Sequence, residues 1–325
     1  MISLFNNSKD NESKIVYGCM GGAGAFGKQD ELDSIDALKT AYKVGIRFFD
    51  TAEMYGDGYS EQLLSRSLND VRKDIRISSK VSPHNMSYKG IIEACERSLN
   101  NLDTDYIDLY LLHWPNREIP LDESFEALKQ LQKEGKILKY GVSNFGKKDL
   151  EDALKLGEVS ANQVAYHLLF RAVEHEVIPL CKSSSVPLMC YSSLMQGLLT
   201  GKYKTLSDFP ENRARIRLFD SRKWPQCRHG EFGQEEKGEM ALNMLHKIAE
   251  GSGIPMAKLA IGWLKAQNAV GGVLVGTRNG EQSHKLTELM DINLSDDLLD
   301  ALDDATDALK IALGNNIDMW DHRTR

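Results

Sequence analysis

The chain has 325 residues, with 47 acidic against 40 basic side chains and a formal charge of −7. This balance argues against a dedicated nucleic-acid surface, because phosphate binding needs a concentrated excess of Lys and Arg. With 42% hydrophobic and 27% charged residues, the composition is that of an ordinary globular protein, so a large core is available and extensive disorder is not expected.

The cysteines and the N-terminal segment bear on the cellular compartment. Five cysteines lie far apart, without a CxxC or Cys/His metal-binding spacing: Cys19, Cys95, Cys181, Cys190 and Cys227. We expect reduced thiols and no metal site. The start, MISLFNNSKDNESK, lacks the apolar segment of a signal peptide, and no run approaches the roughly 18 to 20 apolar residues of a membrane span. A cytoplasmic protein without a membrane partner is therefore expected.

Short apolar segments rich in β-formers alternate with longer helical patterns along the chain. In chain order the predicted strands are KIVYG, IRFFD, DIRISSK, YIDLYLLH, ILKYGVSN, ANQVAY, VPLMCYS and GGVLVG. The predicted helices are ELDSIDALKTAYKVG, YSEQLLSRSLND, YKGIIEACERSLNNL, LDESFEALKQLQKEG, KKDLEDALKLG, VEHEVIPLCKSS and EQSHKLTELM. Eight strands that alternate with helices predict an α/β fold, a (β/α)8 TIM barrel built as a single domain over residues 1–325.

Two segments depart from this alternation. Residues from Lys202 to Gly238 are polar and contain Pro210 and Pro225, which predicts a long functional loop at the C-terminal mouth of the barrel. The stretch from Leu294 to Leu313 is amphipathic and predicts an extra C-terminal helix outside the barrel, followed by a tail that contains Trp320.

Polar side chains fall at the C-terminal ends of the predicted strands, which converge on one mouth in a barrel. They are Asp50, Tyr55, Lys80, His113, Ser143, Asn144, Gln163 and Tyr191. Taken singly, Asp50 fits a helix cap and Lys80 fits a solvated charge. His113 likewise fits a satisfied core histidine, and Tyr55 fits a loop aromatic. Their joint placement favours a catalytic site.

This set of residues suits the reduction of a carbonyl group. A tyrosine with an ordinary pKa of about 10 is only a moderate acid, and a neighbouring ammonium lowers that pKa. We therefore expect Tyr55 to donate the proton, with Lys80 tuning its acidity. A buried lysine needs a carboxylate to hold its charge, and Asp50 is available. His113 would donate a hydrogen bond to the carbonyl oxygen, or take part in proton transfer at lower pH.

At these residues the chain resembles the aldo-keto reductases, and the resemblance covers nearly the whole length. The segment GIRFFDTAEMYGDGYSE from Gly45 to Glu61, the segment ISSK and the segment LYLLHWP are similar to the family signatures. The resemblance implies a nicotinamide cofactor and a catalytic tetrad: Asp50, Tyr55, Lys80 and His113.

The resemblance also implies which residues hold the cofactor. Ser143, Asn144 and Gln163 correspond to residues that bind the nicotinamide carboxamide, and Tyr191 to the aromatic ring that stacks on the nicotinamide. The other implied contacts are, near the ribose, Gly18, Cys19, Met20 and Asp50, and, on the pyrophosphate segment, Ser192, Leu194, Gln196 and Lys202.

The segment VGTRNGEQ resembles the part of the family that holds the adenosine 2′-phosphate. It supplies Gly276, Thr277, Arg278 and Gln282. The planar fork of Arg278 suits phosphate oxygens and favours NADPH over NADH. The chain departs from the family at Lys285 and Leu286, where relatives often have Glu and Asn, and at Ser193, where many have proline.

A competing motif lies near the N-terminus. Residues Gly22 to Gly27 match GxGxxG, and Asp50 follows at the end of the next strand, as in a Rossmann dinucleotide-binding fold. However, Gly27 is followed by KQDELDS, which predicts a loop and an N-cap before a helix that begins near Glu31. We interpret the glycines as a mouth loop beside the substrate.

The sequence therefore predicts an NADPH-dependent reductase of an aldehyde or ketone, with a small-molecule carbonyl as its partner. A cofactor-binding regulatory module, as in the potassium-channel beta subunits, is the alternative. The substrate and the oligomeric state stay open. Candidate substrate walls are Gly24–Gly27, Trp114, the Arg213–Arg228 loop and the tail near Asp318–Trp320. The basic residues Arg213, Arg215 and Arg217 would bind cofactor phosphates or an anionic substrate, or simply be solvated.

Overall fold

Eight parallel strands close into a barrel, each paired with its neighbours in chain order. The computed structural model describes residues 13–24, 27 and 29–320. The strands are β1 (Ile15–Gly18), β2 (Phe48–Asp50), β3 (Arg76–Val81), β4 (Ile107–Leu112), β5 (Ile137–Ser143), β6 (Asn162–Ala165), β7 (Leu188–Tyr191) and β8 (Val270–Val275). The predicted (β/α)8 barrel is confirmed. The predicted absence of a signal peptide concerns residues 1–12, which lie outside the described range.

Helices surround the barrel. They are α1 (Glu31–Lys43), α2 (Tyr59–Leu68), α3 (Tyr88–Leu102), α4 (Leu121–Lys133), α5 (Lys147–Leu156), α6 (Val177–Ser184), α7 (Glu235–Ser252), α8 (Met256–Ala266), α9 (Gly280–His284), α10 (Thr287–Met290) and α11 (Asp296–Leu313). The extra C-terminal helix is confirmed as α11. Within the described range, no helix combines the length and the apolar character needed to cross a bilayer.

Two boundaries differ from the prediction. The long loop does not run to Gly238, because α7 begins at Glu235, with Glu235 and Glu236 in its first turn, where carboxylates suit the helix dipole. Gly238 lies inside this helix, and a Cβ atom there would come within 2.4 Å of Leu218 Cδ1, so close packing rather than a turn requires the glycine. The segment EQSHKLTELM, predicted as one helix, forms the two short helices α9 and α10.

The glycine-rich segment after β1 does not open a helix directly. Asp30 caps α1, with its carboxylate accepting from the backbone N–H groups of Leu32 (2.8 Å) and Asp33 (3.3 Å). The helix therefore begins at Glu31, as predicted, and the closed barrel excludes the Rossmann alternative. Ala25 and Phe26, within the predicted mouth loop, lie outside the described residues.

The barrel interior is a separate apolar cluster. Its members are Val16, Phe48, Leu109, Leu111, Ala161, Met189 and Leu274. Because side chains alternate between the two faces of a strand, the residues two positions further along also point inward, now at the C-terminal mouth. This alternation places Asp50 beyond Phe48 and His113 beyond Leu111. The apolar cluster thus forms the floor beneath the polar mouth.

Arg171 attaches α11 to the barrel. Its guanidinium is buried, with 4% of the residue exposed. It donates to Glu174 Oε1 (2.6 Å), to Thr306 Oγ1 (2.9 Å) and to the Asp303 carbonyl (3.0 Å). One side chain therefore holds the segment after β6 against the C-terminal helix.

We expect Arg171→Met to lower the free energy of unfolding by about 3 kcal/mol, because it removes a buried guanidinium and leaves the half-buried Glu174 carboxylate without this partner. Urea unfolding followed by circular dichroism measures this change. The matched control is Lys148→Ala, which breaks the exposed ion pair with Asp152 and should leave the midpoint close to that of the wild type. Equal midpoints for the two variants would contradict the assigned role of Arg171.

Candidate active site

The C-terminal strand ends bring the predicted polar residues to one mouth. The inward-facing members are Asp50 on β2, Lys80 on β3, His113 after β4, Ser143 on β5, Gln163 on β6 and Tyr191 on β7. Neighbouring strands align them, since Ser143 pairs with Gln163 and Ala165 pairs with Tyr191. Tyr55 enters from the loop between β2 and α2 and completes the group.

A buried ion pair lies at the centre of this mouth. Lys80 Nζ is 2.6 Å from Asp50 Oδ1, and the Lys80 side chain is fully buried. The same ammonium donates to the Thr51 carbonyl (2.6 Å) and to the Tyr55 hydroxyl (3.4 Å). All three hydrogens of the ammonium therefore have acceptors.

The second oxygen of Asp50 is also occupied. Asp50 Oδ2 accepts from Ser78 Oγ (2.6 Å) and from Gln163 Nε2 (2.8 Å). Burial by itself would lower the pKa of Lys80, but the charge of Asp50 and the adjacent Tyr55 raise that pKa above its ordinary value. Lys80 is therefore a charged ammonium, held by a carboxylate that is itself fixed in place.

Opposing effects act on the pKa of Tyr55. The protein atoms around this half-buried side chain raise the pKa of its phenol, because the site disfavours the charged phenolate. Lys80 opposes this shift and Asp50 adds to it, and the net direction is upward. Lys80 therefore acts on the pKa of Tyr55 in the expected direction, and burial outweighs its effect. The phenol is protonated at neutral pH.

His113 faces Tyr55 as a neutral imidazole. The two rings meet edge to face, with centroids 5.7 Å apart and an interplanar angle of 76°. Burial, together with the charge of Lys80, holds the pKa of His113 well below its ordinary value of about 6.5. Its Nδ1 has no hydrogen-bond partner among the described residues. A neutral imidazole suits hydrogen bonding to a ligand better than proton transfer at low pH.

The mouth also carries two side-chain amides, those of Asn144 and Gln163, and the aromatic ring of Tyr191. Asn144 Nδ2 donates to the His113 carbonyl (3.0 Å), and Asn144 Oδ1 accepts from the Tyr191 hydroxyl (2.8 Å). Ser143 Oγ donates to the Gln163 carbonyl (3.0 Å). Side-chain amides beside an aromatic face form a set that fits a planar ring bearing a carboxamide, so these residues fit a nicotinamide.

The loop after β7 is strained. Ser192, Met195 and Gln196 all have left-handed backbone conformations, with φ of 54°, 45° and 52°. Such strain in non-glycine residues is typical of functional loops. Gln196 Oε1 is buried without a hydrogen-bond partner among the described residues, and Arg213 Nη1 lies 3.3 Å from the Gln196 carbonyl. Leu194 is half-buried beside this loop and Lys202 is exposed, so a cation is available for phosphate.

The ends of β8 and β1 form the adjoining rim. A Cβ atom on Gly276 would come within 2.7 Å of the Gly18 carbonyl, so only glycine allows this approach. Thr277 Oγ1 contacts the Tyr17 hydroxyl (2.9 Å). Arg278 is exposed: its backbone N–H donates to Gln282 Oε1 (3.0 Å) and its Nε to Gln29 Oε1 (3.1 Å).

The short helical turn after β1 determines which atoms of Cys19 and Met20 can contact a ligand. Both lie in a 3-10 turn, Cys19–Ala23. The Cys19 side chain is buried, whereas Met20 is half-buried at the rim. Cys19 therefore offers backbone rather than its thiol to a ligand.

The three arginines of the long loop have different environments. Arg217 is buried, bonded to Glu231 through Nε (2.8 Å) and to the Asn316 carbonyl through Nη1 (2.9 Å). The prediction that it binds phosphate or substrate, or is solvated, is wrong, because its donors connect the loop to the segment after α11. Arg213 lies beside Gln196. Arg215 is half-buried, and its burial, together with the charges of Arg228 and Arg213, lowers the pKa of its guanidinium.

Sequence reasoning missed Ser78 and the carbonyl of Thr51. Ser78 precedes Lys80 by two positions on β3, so it points to the same inward face. Strand alternation was the signal that could have found it. The Thr51 carbonyl could not have been found, because its role depends on where the Lys80 side chain ends.

Comparison with known proteins gives consistent results. Residues 14–307 match the model of the aldo/keto reductase family. Methylglyoxal reductase of Escherichia coli is 39% identical over 165 residues, an alignment that covers 50% of this chain and 58% of that relative. An NADH-specific methylglyoxal reductase of the same organism is 29% identical, with 85% of this chain and 88% of the relative covered.

A solved structure is similar over nearly the whole chain. It is an aldo/keto reductase from Klebsiella pneumoniae in complex with NADP and acetate. It is 29% identical, with a TM-score of 0.73, and the alignment covers 94% of this chain and 95% of that one.

The hydrogen bond from Ser78 to Asp50 generates a stability prediction. Ser78→Ala should lower the free energy of unfolding by about 1.5 to 3 kcal/mol, because the lost bond goes to a buried charged group. Ser124→Ala is the matched control, since its equally buried hydroxyl donates to the neutral Met86 carbonyl (2.6 Å), and it should cost about 1 kcal/mol. Urea unfolding compares the two, and a larger loss at Ser124 would count against the arrangement around Asp50.

Proposed function

The chain belongs to the aldo/keto reductase family, and we propose that it reduces the carbonyl group of an aldehyde or ketone to an alcohol, with NADPH as the reductant. The observation that carries this proposal is the geometry of the Lys80 ammonium, 2.6 Å from Asp50 and 3.4 Å from the Tyr55 hydroxyl. The same residues would serve the reverse oxidation of an alcohol when product dominates.

Bound NADPH supplies a hydride to the carbonyl carbon. Tyr55 then gives its phenolic proton to the carbonyl oxygen, on which negative charge develops. The Lys80 ammonium stabilises the phenolate left behind, because opposite charges attract strongly in a buried site. Asp50 keeps Lys80 charged, and Ser78 and Gln163 keep Asp50 in place.

Neutral His113 orients the carbonyl oxygen by donating a hydrogen bond. Its edge-to-face contact with Tyr55 puts both groups on one side of the mouth. Asn144, Ser143 and Tyr191 would hold the nicotinamide, and the strained loop after β7 would hold the pyrophosphate.

A short, reactive carbonyl is the first substrate to test. Two relatives are named as methylglyoxal reductases, one of them 29% identical over 301 residues. Trp114 follows β4, Trp320 contacts Tyr191, and both are half-buried, so we propose them as apolar walls of the substrate site. We propose a small aldehyde or α-dicarbonyl as the substrate class. No contact among the described residues favours the alternative of a regulatory module.

The role of Tyr55 is tested by Tyr55→Phe. This variant keeps the ring but loses the acid, so kcat for carbonyl reduction should fall by about 10² to 10⁴. The Kd of NADPH, from fluorescence titration, should change little. Turnover at the wild-type rate would remove Tyr55 from the proposed mechanism.

The pH dependence of reduction follows from the two pKa shifts. Because burial raises the pKa of Tyr55 above its ordinary value of about 10, the acid stays protonated as pH rises through neutrality. Because the pKa of His113 lies well below about 6.5, the imidazole stays neutral. The profile of kcat/KM should therefore be flat between about pH 6.5 and about pH 9. A bell-shaped profile within this window would show that one assignment is wrong.

Cofactor preference is tested at Arg278. Arg278→Ala should raise the Kd of NADPH about tenfold or more and leave the Kd of NADH nearly unchanged, because only NADPH carries the 2′-phosphate. The control is Lys285→Ala, a nearby cation already paired with Glu281 (2.8 Å), which should change neither Kd. Equal weakening of both cofactors by Arg278→Ala would refute recognition of the 2′-phosphate.

A further inference from the structure

The segment after α11, Gly314–Trp320, is packed into the protein and is called the tail here. Ile317, Asp318 and Met319 are 5%, 0% and 0% exposed. Asn315 Nδ2 donates to Glu176 Oε2 (2.8 Å), which connects the tail to the residue just before α6. The tail therefore has a defined course, and its last described residue reaches the mouth.

Two further contacts fix the end of the tail. Arg217 Nη1 donates to the Asn316 carbonyl (2.9 Å), which joins the tail to the long loop after β7. The Trp320 backbone N–H donates to Asp318 Oδ1 (2.8 Å). Trp320 is thus held through its own backbone and through the residues before it.

That indole reaches the aromatic ring at the end of β7. Trp320 Nε1 donates to the Tyr191 hydroxyl (3.1 Å), and the same hydroxyl contacts Asn144 Oδ1 (2.8 Å). An indole N–H can only donate, so the lone hydrogen of the phenol must point at Asn144. The chain of hydrogen bonds therefore has one direction, from Trp320 through Tyr191 to Asn144.

This direction also sets the orientation of an amide. With Asn144 Oδ1 facing a donor, its Nδ2 must face acceptors, and it does so at the His113 carbonyl (3.0 Å) and at Ser143 Oγ (3.1 Å). Asn144 has a left-handed backbone, with φ of 60°, so its position is already constrained by strain. The His113 carbonyl and the chain of hydrogen bonds from the tail therefore favour the same orientation of the amide, and the tail adds the constraint on the Tyr191 hydroxyl.

We propose that Trp320 is a positioning residue, which fixes the ring of Tyr191 and the amide of Asn144 and thereby the seat of the nicotinamide. This inference rests on the proposed function, in which Tyr191 and Asn144 hold that ring. The tail acts on the reaction through these two side chains, and Trp320 need not touch the cofactor.

The test is a double-mutant cycle of Trp320→Phe and Tyr191→Phe, which remove the N–H and the hydroxyl while leaving an aromatic ring at each position. NADPH Kd by fluorescence titration and the single-turnover rate of hydride transfer are measured for each. Trp320→Phe should weaken NADPH binding or slow hydride transfer about three- to tenfold, the size expected for one hydrogen bond. The double variant should be no worse than Tyr191→Phe alone, because both changes break the same chain.

Asn315→Ala is the matched control, since it removes a side-chain tie of the tail without touching Tyr191. It should leave both quantities within about twofold of the wild type. Losses that add in the double variant, or the same loss in Asn315→Ala, would overturn the positioning role and leave only general packing.

Asn144→Ala separates this inference from the proposed function. A weakened NADPH Kd in Asn144→Ala, together with wild-type behaviour of Trp320→Phe, would refute the role of Trp320 alone. Unchanged NADPH binding in Asn144→Ala would instead refute the nicotinamide site itself, and the role of Trp320 would fail with it.

Discussion

The ion pair between Lys80 and Asp50 is the constraint on which the rest of the site depends. A fully buried ammonium would lose its proton without a carboxylate, and a buried carboxylate needs donors on both oxygens. Lys80, Ser78 and Gln163 supply those donors from two strands, at 2.6, 2.6 and 2.8 Å. The positive charge is therefore delivered to Tyr55 by a rigid arrangement rather than by a flexible side chain.

The barrel topology brings the residues of this arrangement together. Parallel strands converge at their C-terminal ends, so residues from β2, β3 and β6 meet although they are far apart in sequence. An apolar floor beneath them excludes water and strengthens each polar contact. Outside the barrel, Arg217 joins the long loop to the tail, and Trp320 of the tail donates to the Tyr191 hydroxyl. The alternation of side chains along each strand, the closure of the barrel and the packing of the tail thus position the same few side chains.

Much of this could be predicted from the sequence, because strand alternation and strand ends are local signals. The eight strands, the start of α1 at Glu31 and the gathering of polar residues at one mouth follow from such signals. Gly238 was predicted to lie in the long loop, but it belongs to α7. Its lack of a side chain allows close packing against Leu218, which is 20 residues away in sequence. The burial of Arg217 and the upward pKa shift of Tyr55 depend on three-dimensional surroundings that no local pattern encodes.

The central claim is that hydride reaches a carbonyl carbon in this mouth. The most direct measurement uses NADPH that carries deuterium at the transferable position, with a panel of small aldehydes and α-dicarbonyls, and mass spectrometry of the alcohols formed. The account predicts an alcohol with one deuterium on the former carbonyl carbon. Alcohol without deuterium, or no alcohol from any member of the panel, would contradict it.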